Sequence, residues 1–352
     1  MIKSVQFKNF KVLRDATLSL GRFTLIVGPN GSGKSTALQA IKVVANPSQK
    51  VPEFSAVVTA DLKSQKGTVV QAILFFDSPH DGVSINANWT SMREISGRTA
   101  KAGSDTEFVL GYHKEGKLRF PEEELQILKE KLIRTRVFSL DARCIPQPVQ
   151  LRPNVELDQH GESLAGVLDR LRDREPERFE ALNDEIRRWF PEFDHILFDT
   201  PAEGQRSFFL RTRKGQHKIS AVDLSQGTLL ALTILTLGYL PETPFLVGIE
   251  EPDRGIHPRL LRQVQDALYR LSYPENFGEK REPVQVIATT HSPYFLDLYK
   301  DHPEEIVIAQ KTAEGSRFER LSELPHVLDV LDDAPLGEIW YSGILGGVPV
   351  GQ

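Results

Sequence analysis

Eight consecutive residues limit what this chain can fold into: Gly28-Pro29-Asn30-Gly31-Ser32-Gly33-Lys34-Ser35. They satisfy the spacing G-x-x-x-x-G-K-[ST]. A short apolar run, Phe23 to Val27, precedes them, and an amphipathic stretch follows from Ser35. The context is therefore strand, loop, helix, which commits this part of the chain to an α/β arrangement. The glycines let backbone N–H groups converge without Cβ clashes and so form an anion nest. The helix N-terminus adds partial positive charge. Lys34 supplies a mobile cation for β- and γ-phosphates, and the Ser35 hydroxyl is a ligand for Mg²⁺. The competing explanation is a glycine-rich turn that matches by accident, which composition alone produces in roughly one in a hundred chains of this length. Asn30 and Ser32 either contact phosphate or only serve the turn.

The remaining sequence narrows the class. Of 352 residues, 43 are Lys or Arg and 48 are Asp or Glu, a net charge of −5. A protein that coats nucleic acid over its whole surface is usually basic, so only a local DNA-binding patch stays open. The single cysteine, Cys144, excludes an intramolecular disulfide and makes a cysteine zinc site within one chain nearly impossible. With 40% hydrophobic residues the chain is neither disordered nor collagen-like. The N-terminal ten residues alternate and do not read as a signal peptide. The most apolar stretch, residues 229–240, is too short to span a bilayer. A cytoplasmic location without membrane contact is the expectation.

Strands are expected over residues 2–7, 23–27 and 69–76, and a helix over 35–45. Residues 50–112 read as rich in strands and loops, with 77–104 polar and undefined. Helical spacing covers residues 122–136 and then 163–190 with a break near Pro176. A hairpin over 208–219 turns at Lys214-Gly215. The last third alternates: helix 225–238, strand 245–249, helix 258–271, strand 284–289, helix 293–299, strand 305–308. Such alternation implies a mainly parallel sheet covered by helices.

Further motifs lie in this last third. In Leu224-Ser225-Gln226-Gly227-Thr228, Ser225 is a good N-cap and Gly227 permits close backbone approach to a ligand; an ordinary capped helix explains the same residues. Phe245 to Ile249 is an apolar strand that delivers Glu250 and Glu251 to its C-terminal end, where ligands of parallel sheets sit. One carboxylate can hold Mg²⁺ while the next orients or deprotonates water. The alternative is a solvated acidic turn opening a helix. His291, in Thr289-Thr290-His291-Ser292-Pro293, is placed either to report a γ-phosphate or simply to end a strand. Asp253 and His257 follow the acidic pair.

The order of P-loop, L-S-x-G, acidic strand end and T-T-H-S-P resembles the ABC-type ATPases of the RecF, SMC and OLD group. It is most similar to compact AAA-type, OLD-like members. Phe7-Lys8-Asn9-Phe10-Lys11, Glu250-Glu251-Pro252-Asp253-Arg254-Gly255-Ile256-His257-Pro258 and Asp158-Gln159-His160-Gly161-Glu162-Ser163 support the likeness. The resemblance implies an ABC-ATPase head with a mainly parallel P-loop sheet, an antiparallel β-lobe and a helical insertion. Its parts would be a P-loop and β-lobe half (1–120), the helical insertion (121–200), a half with signature, acidic pair and switch histidine (201–310), and a tail (311–352). Gly28, Asn30, Gly31, Ser32, Gly33, Lys34, Ser35 and Thr36 would hold ATP and Mg²⁺. Ser225 and Gly227 would contact the γ-phosphate bound to a second protomer. Glu250 would be the Mg²⁺-side acid, Glu251 the general base and His291 the switch. Asp253 would lie at the dimer interface, with Gln147 the candidate lid glutamine. Three departures stand out: Glu250 where Asp is common, Thr228 where transporters carry Gln or Glu, and no long coiled coil.

The implied function is ATP binding and hydrolysis, with an ATP-sandwich homodimer gating a separate effector in phage defence or DNA maintenance. The residues after His291 are too few for a Toprim nuclease domain, so a Toprim-like nuclease would be a partner. A nucleotide-controlled scaffold is the alternative, and a transporter subunit is the third. The stretch with Arg206, Arg211, Arg213, Lys214 and Lys218 is a possible DNA patch or a solvated hairpin face. The tail from Gly337 to Gly347 docks on the head or on a partner.

Overall fold

The computed structural model describes residues 1–45, 70–77, 80, 83–91, 106–114, 122–312, 315–324, 334–343 and 345. The strand-and-loop expectation for residues 50–69, part of the undefined segment 77–104 and the end of the glycine-rich tail lie outside them. The chain divides into two compact units: Met1–Thr135 with Thr289–Gln352, and Arg136–Ala288.

In the first unit, β1 (Ile2–Phe10) and β2 (Leu13–Ser19) form an antiparallel hairpin with Phe7 opposite Ala16. Strand β1 runs past the expected end at residue 7. Asn9 and Lys11 reach positive φ, 54° and 55°, so the chain reverses tightly without glycine. β4 (Val70–Phe76), β5 (Val83–Ser91) and β6 (Thr106–Lys114) extend this into an antiparallel sheet of order β2-β1-β4-β5-β6. This is the expected β-lobe. β3 (Phe23–Val27) is buried along its whole length, as an unbroken apolar run should be. It pairs in parallel with β14 (Ile306–Thr312), Leu25 opposite Ile306, and β14 pairs antiparallel with β15 (Gly315–Arg320). Helix α1 (Lys34–Ala45) follows β3 across the glycine loop and buries Leu38, Ile41, Val44 and Ala45. α2 (Glu122–Leu132) buries Leu128 and Leu132.

Two short helices complete this unit. α7 (Pro293–Asp297) is anchored by Phe295, whose ring meets Tyr299, which in turn stacks on Phe23 at 5.2 Å. α8 (Leu336–Tyr341) packs on α7, with Trp340 5% exposed and the Gly337 N–H donating to Asp297 Oδ1 at 2.6 Å. The described part of the glycine-rich tail therefore docks within its own unit.

In the second unit β12 (Leu246–Glu250) lies between β7 (Thr135–Phe138) and β13 (Gln285–Thr290), whose last two residues count with the first unit. β8 (Val149–Gln150), β9 (Phe193–Asp199), β10 (Gln205–Thr212) and β11 (Lys218–Ser220) make a separate antiparallel sheet around β10. The expected helical pair appears as α3 (Leu164–Arg174) and α4 (Pro176–Trp189), with Pro176 at the first turn of α4, where its missing N–H costs nothing. α5 (Gln226–Leu237) is apolar all round and buried from Leu229 to Leu237. Its two buried threonines are satisfied within the helix: Thr233 Oγ1 donates to Leu229 O and Thr236 Oγ1 to Leu232 O, both at 2.8 Å. α6 (Leu261–Ser272) buries Leu261, Val264, Leu268 and Leu271 at helical spacing.

Candidate nucleotide site

Every loop residue of the phosphate motif lies in the first unit, and its glycines are required by its shape. A Cβ on Gly28 would fall 2.4 Å from Ala309 O and 2.6 Å from Ser32 Oγ. Gly31 and Gly33 hold φ of 77° and 95°, open to glycine at no steric cost. Lys34 begins α1 and is 7% exposed; its Nζ donates to Gly28 O at 2.7 Å and Pro29 O at 3.1 Å. The cation is thus folded over the loop. Ser32 Oγ is buried and has no hydrogen-bond partner within the protein. A buried orphan hydroxyl costs about 1–3 kcal/mol, and a nest of converging N–H groups that also leaves one hydroxyl unpaired suits an anionic ligand. The donor set fits a nucleotide phosphate. Ser35 and Thr36 occupy the next positions of α1.

His291 is exposed immediately after β13. The next residue, Ser292, caps α7 by accepting from the Phe295 N–H at 3.3 Å, and its own N–H donates to Thr290 Oγ1 at 3.0 Å. The histidine is therefore carried on a backbone pinned on both sides.

The acidic pair and the segment Leu224–Thr228 belong to the second unit, which brings them together. Ser225 is the N-cap of α5: its Oγ accepts from the Thr228 N–H at 3.1 Å and lies 2.7 Å from Thr228 Oγ1. The unusual Thr228 is thus part of the cap. Gly227 has no room for a side chain, since a Cβ there would lie 2.7 Å from Gly255 O. Gly255 belongs to the turn that follows the acids, closed by Arg254 N–H to Glu251 O at 3.0 Å and Ile256 N–H to Asp253 O at 3.2 Å. Glu250 ends β12, and Glu251, half-buried, adopts a left-handed φ of 45°. A glutamate held there costs about 1–2 kcal/mol. Such strain persists only where the surrounding structure imposes it.

Gln147 is exposed in the loop after β7, and its Nε2 donates to Arg143 O at 3.1 Å. Two arginines that touch this loop had no role assigned from the sequence. Arg143 hydrogen-bonds Asp141 through both side chain and backbone and holds its carboxyl at about 2. Arg254 Nη2 donates to Leu140 O at 2.9 Å. In the sequence Arg254 figured only as part of the run from Glu250 to Pro258.

The basic hairpin is mostly satisfied internally. Arg206 meets Asp169 at 3.0 Å, Arg211 grips Asp194 with contacts of 2.8 and 3.2 Å and pulls that carboxyl downward, and Arg213 donates to Arg187 O. Three of the five cations thus have structural partners. Among the described residues no group of three or more His, Cys, Asp or Glu gathers as a metal site, and no helix is long and apolar enough to cross a membrane.

Known proteins resemble the chain in sequence and in fold. The chain matches the model "AAA domain, putative AbiEii toxin, Type IV TA system" over residues 111–297 and the model "AAA ATPase domain" over residues 1–118. It is 26% identical to OLD nuclease of Thermus scotoductus across 88% of this chain and 64% of that protein. It is also 26% identical, over 137 residues, to the chromosome partition protein Smc of Methanocaldococcus jannaschii, covering 38% of this chain and 11% of that one. The chain thus spans less than two thirds of the length of these curated relatives. Among solved structures it resembles an Smc head bound to the C-terminal winged-helix domain of ScpA, with TM-score 0.60, 15% identity, and coverage of 90% of this chain and 96% of that one. It likewise resembles the Smc head with an extended coiled coil bound to a ScpA domain from Pyrococcus furiosus, with TM-score 0.58, 14% identity, and coverage of 94% and 99%. These structural likenesses establish an SMC-head-like α/β fold. By the longer of the two family matches, the chain belongs to the AAA-domain family of that description.

Proposed function

We propose that the chain hydrolyses ATP as an ABC-type head whose ATP-dependent homodimerisation gates a separate effector, in phage defence or DNA maintenance. The observation that carries the catalytic part is the turn at Glu251. A strained carboxylate follows a buried strand, and its turn abuts the glycine of the signature segment without space for a methyl group. The likeness to OLD nuclease supports the setting.

In this reading the N–H groups of Gly28 to Thr36 cradle the phosphates, and Lys34 turns from the loop carbonyls to the β- and γ-oxygens. Ser35 and Glu250 would hold Mg²⁺, which would supply charge neutralisation for the phosphates. Glu251 accepts a proton from the attacking water as the new O–P bond forms, and the bond from γ-phosphorus to the bridging oxygen breaks toward ADP. His291 contacts the γ-phosphate. Ser225 and Gly227 would meet the γ-phosphate held by a second protomer. The partner would be a protein effector, a Toprim-like nuclease being the leading class, and the location cytoplasmic.

Glu251→Gln tests this. It should bind ATP as tightly as the wild type, lose turnover by at least ~100-fold, and accumulate an ATP-dependent dimer in light scattering. Turnover at the wild-type rate would remove Glu251 from the role of base. The scaffold alternative is favoured by one observation, the local use of the Ser225 hydroxyl by Thr228. Wild-type turnover that stays negligible with the effector present would support it.

A further inference from the structure

Glu251 stands on strained backbone at the start of a turn, and one side chain reaches from that turn to another loop of the same unit. The Arg254 guanidinium places Nη1 3.8 Å from Glu251 Oε2. Its Nη2 donates to Leu140 O at 2.9 Å, a contact between residues 114 positions apart. Leu140 opens the loop that carries Asp141, Arg143 and Gln147. That loop is itself fastened: Ser139 N–H donates to Gln159 O, Asp141 N–H to His160 O, and the Asp158 carboxylate accepts N–H groups from His160, Glu162 and Ser163. Leu140 O is therefore a firm anchor, and the guanidinium spans from it to the carboxylate.

Stability alone does not account for this arrangement. The Arg254 side chain is 59% exposed, and a surface ion pair at this distance contributes little to folding. Orientation does account for it. A planar guanidinium offers N–H groups in fixed, separate directions, so it can hold a carbonyl and a carboxylate at once; an ammonium is a single point charge. The same turn is also closely approached by Gly227, where a Cβ would lie 2.7 Å from Gly255 O. Arg254 thus adds a second restraint on the turn that carries Glu251.

We propose that Arg254 is a positioning residue for hydrolysis: it fixes the Glu251 carboxylate and ties the acidic turn to the loop bearing Gln147. This rests on Glu251 being the general base. Arg254 takes no proton and touches no reacting atom. It acts through Glu251, so its removal lowers the rate of the chemical step and leaves ATP binding alone.

The test is a double-mutant cycle on the full chain with ATP and Mg²⁺. Arg254→Ala should lower kcat roughly tenfold with KM for ATP and ATP-dependent dimer formation unchanged, since misplacing a catalytic group by a fraction of an ångström costs about that much. Arg254→Lys, able to make one contact but not both together, should recover part of the loss. In the Glu251→Gln background Arg254→Ala should change the residual rate by less than about twofold, because groups that act as a unit are not additive. Wild-type kcat in Arg254→Ala overturns the proposal. So does a double mutant whose loss is the product of the two single losses. Should Arg254→Ala fail to fold, Arg254→Lys enters the same cycle with the same criteria. If Glu251→Gln alone turns over at the wild-type rate, the general-base reading falls and the proposal with it. That outcome is recognised from the single mutant.

Discussion

Replacing Gly227 by alanine isolates the contact between the start of α5 and the acidic turn. The new Cβ would lie 2.7 Å from Gly255 O, and the obstacle is backbone. Ordinary contact begins near 3.4 Å, so the two segments must separate by about 0.7 Å, or the helix start must tilt. Two energies oppose each other. Alanine in the first turn of α5 gains up to ~1 kcal/mol of helix propensity. Overpacking of this kind costs ~1–3 kcal/mol. The clash wins, and the net loss should be about 1 kcal/mol, or a few degrees in melting temperature for a chain of this size. The functional loss should be larger. The displaced turn carries Glu251, and a shift of this size costs ~10-fold or more in rate. Urea unfolding, steady-state ATP hydrolysis and binding of a fluorescent ATP analogue measure the three quantities. Reduced stability and turnover is the expected pattern, with nucleotide affinity unchanged at concentrations where the protein is monomeric, since Gly227 would meet only the γ-phosphate of a second protomer. Wild-type turnover and stability would refute the claim that this close approach matters.

Two further outcomes follow from the same unit. Glu251→Gly should be more stable than Glu251→Ala in thermal melts, because glycine relieves the left-handed φ of 45°, a gain of about 1 kcal/mol set against glycine's greater chain entropy; the reverse order would show that the turn relaxes. Asp141, held at about 2 chiefly by its side-chain hydrogen bond with Arg143, has a lowered folded-state pKa. Its contribution is therefore present above the unfolded value near ~4 and lost as pH falls toward about 2. Wild type should exceed Asp141→Asn at pH 6 by at most ~1 kcal/mol, since the pair is within reach of solvent, and the gap should close between pH 4 and 2; a gap that persists at pH 2 would remove the linkage.

The parts of the fold that could be read in advance were those fixed by local chemistry. The strand before Gly28, the loop and α1 follow from glycine spacing and one apolar run. The break at Pro176 follows from a missing N–H. Strand β2 was not foreseen: Leu13, Ala16 and Leu18 are its buried residues, and the change of spacing between 13 and 16 spoils the period of two. β5 was hidden in a segment that looked polar, although Val83, Ile85 and Ala87 alternate inward, because Ser84, Asn86 and Asn88 lower its hydrophobicity. At the candidate site the residue types were visible. The strain at Glu251, the fit of Gly227 to Gly255 and the reach of Arg254 to Leu140 were not, since each depends on a backbone path that no short window encodes.

The parallel pairing of β3 with β14 bears on how the protein is made. The strand that leads into the phosphate loop hydrogen-bonds to residues 306–308, and Ala309 closes over Gly28. Both lie far downstream of the loop in sequence. A ribosome delivers the loop well before its backing, whereas Arg136–Ala288 is contiguous and free to fold while synthesis continues. Joining sequence-distant strands is also the slow step of such topologies. The loop thus acquires its rigid floor only once residues 306–309 have been made. A nascent chain stalled before residue 306 would carry the motif without the support that shapes it.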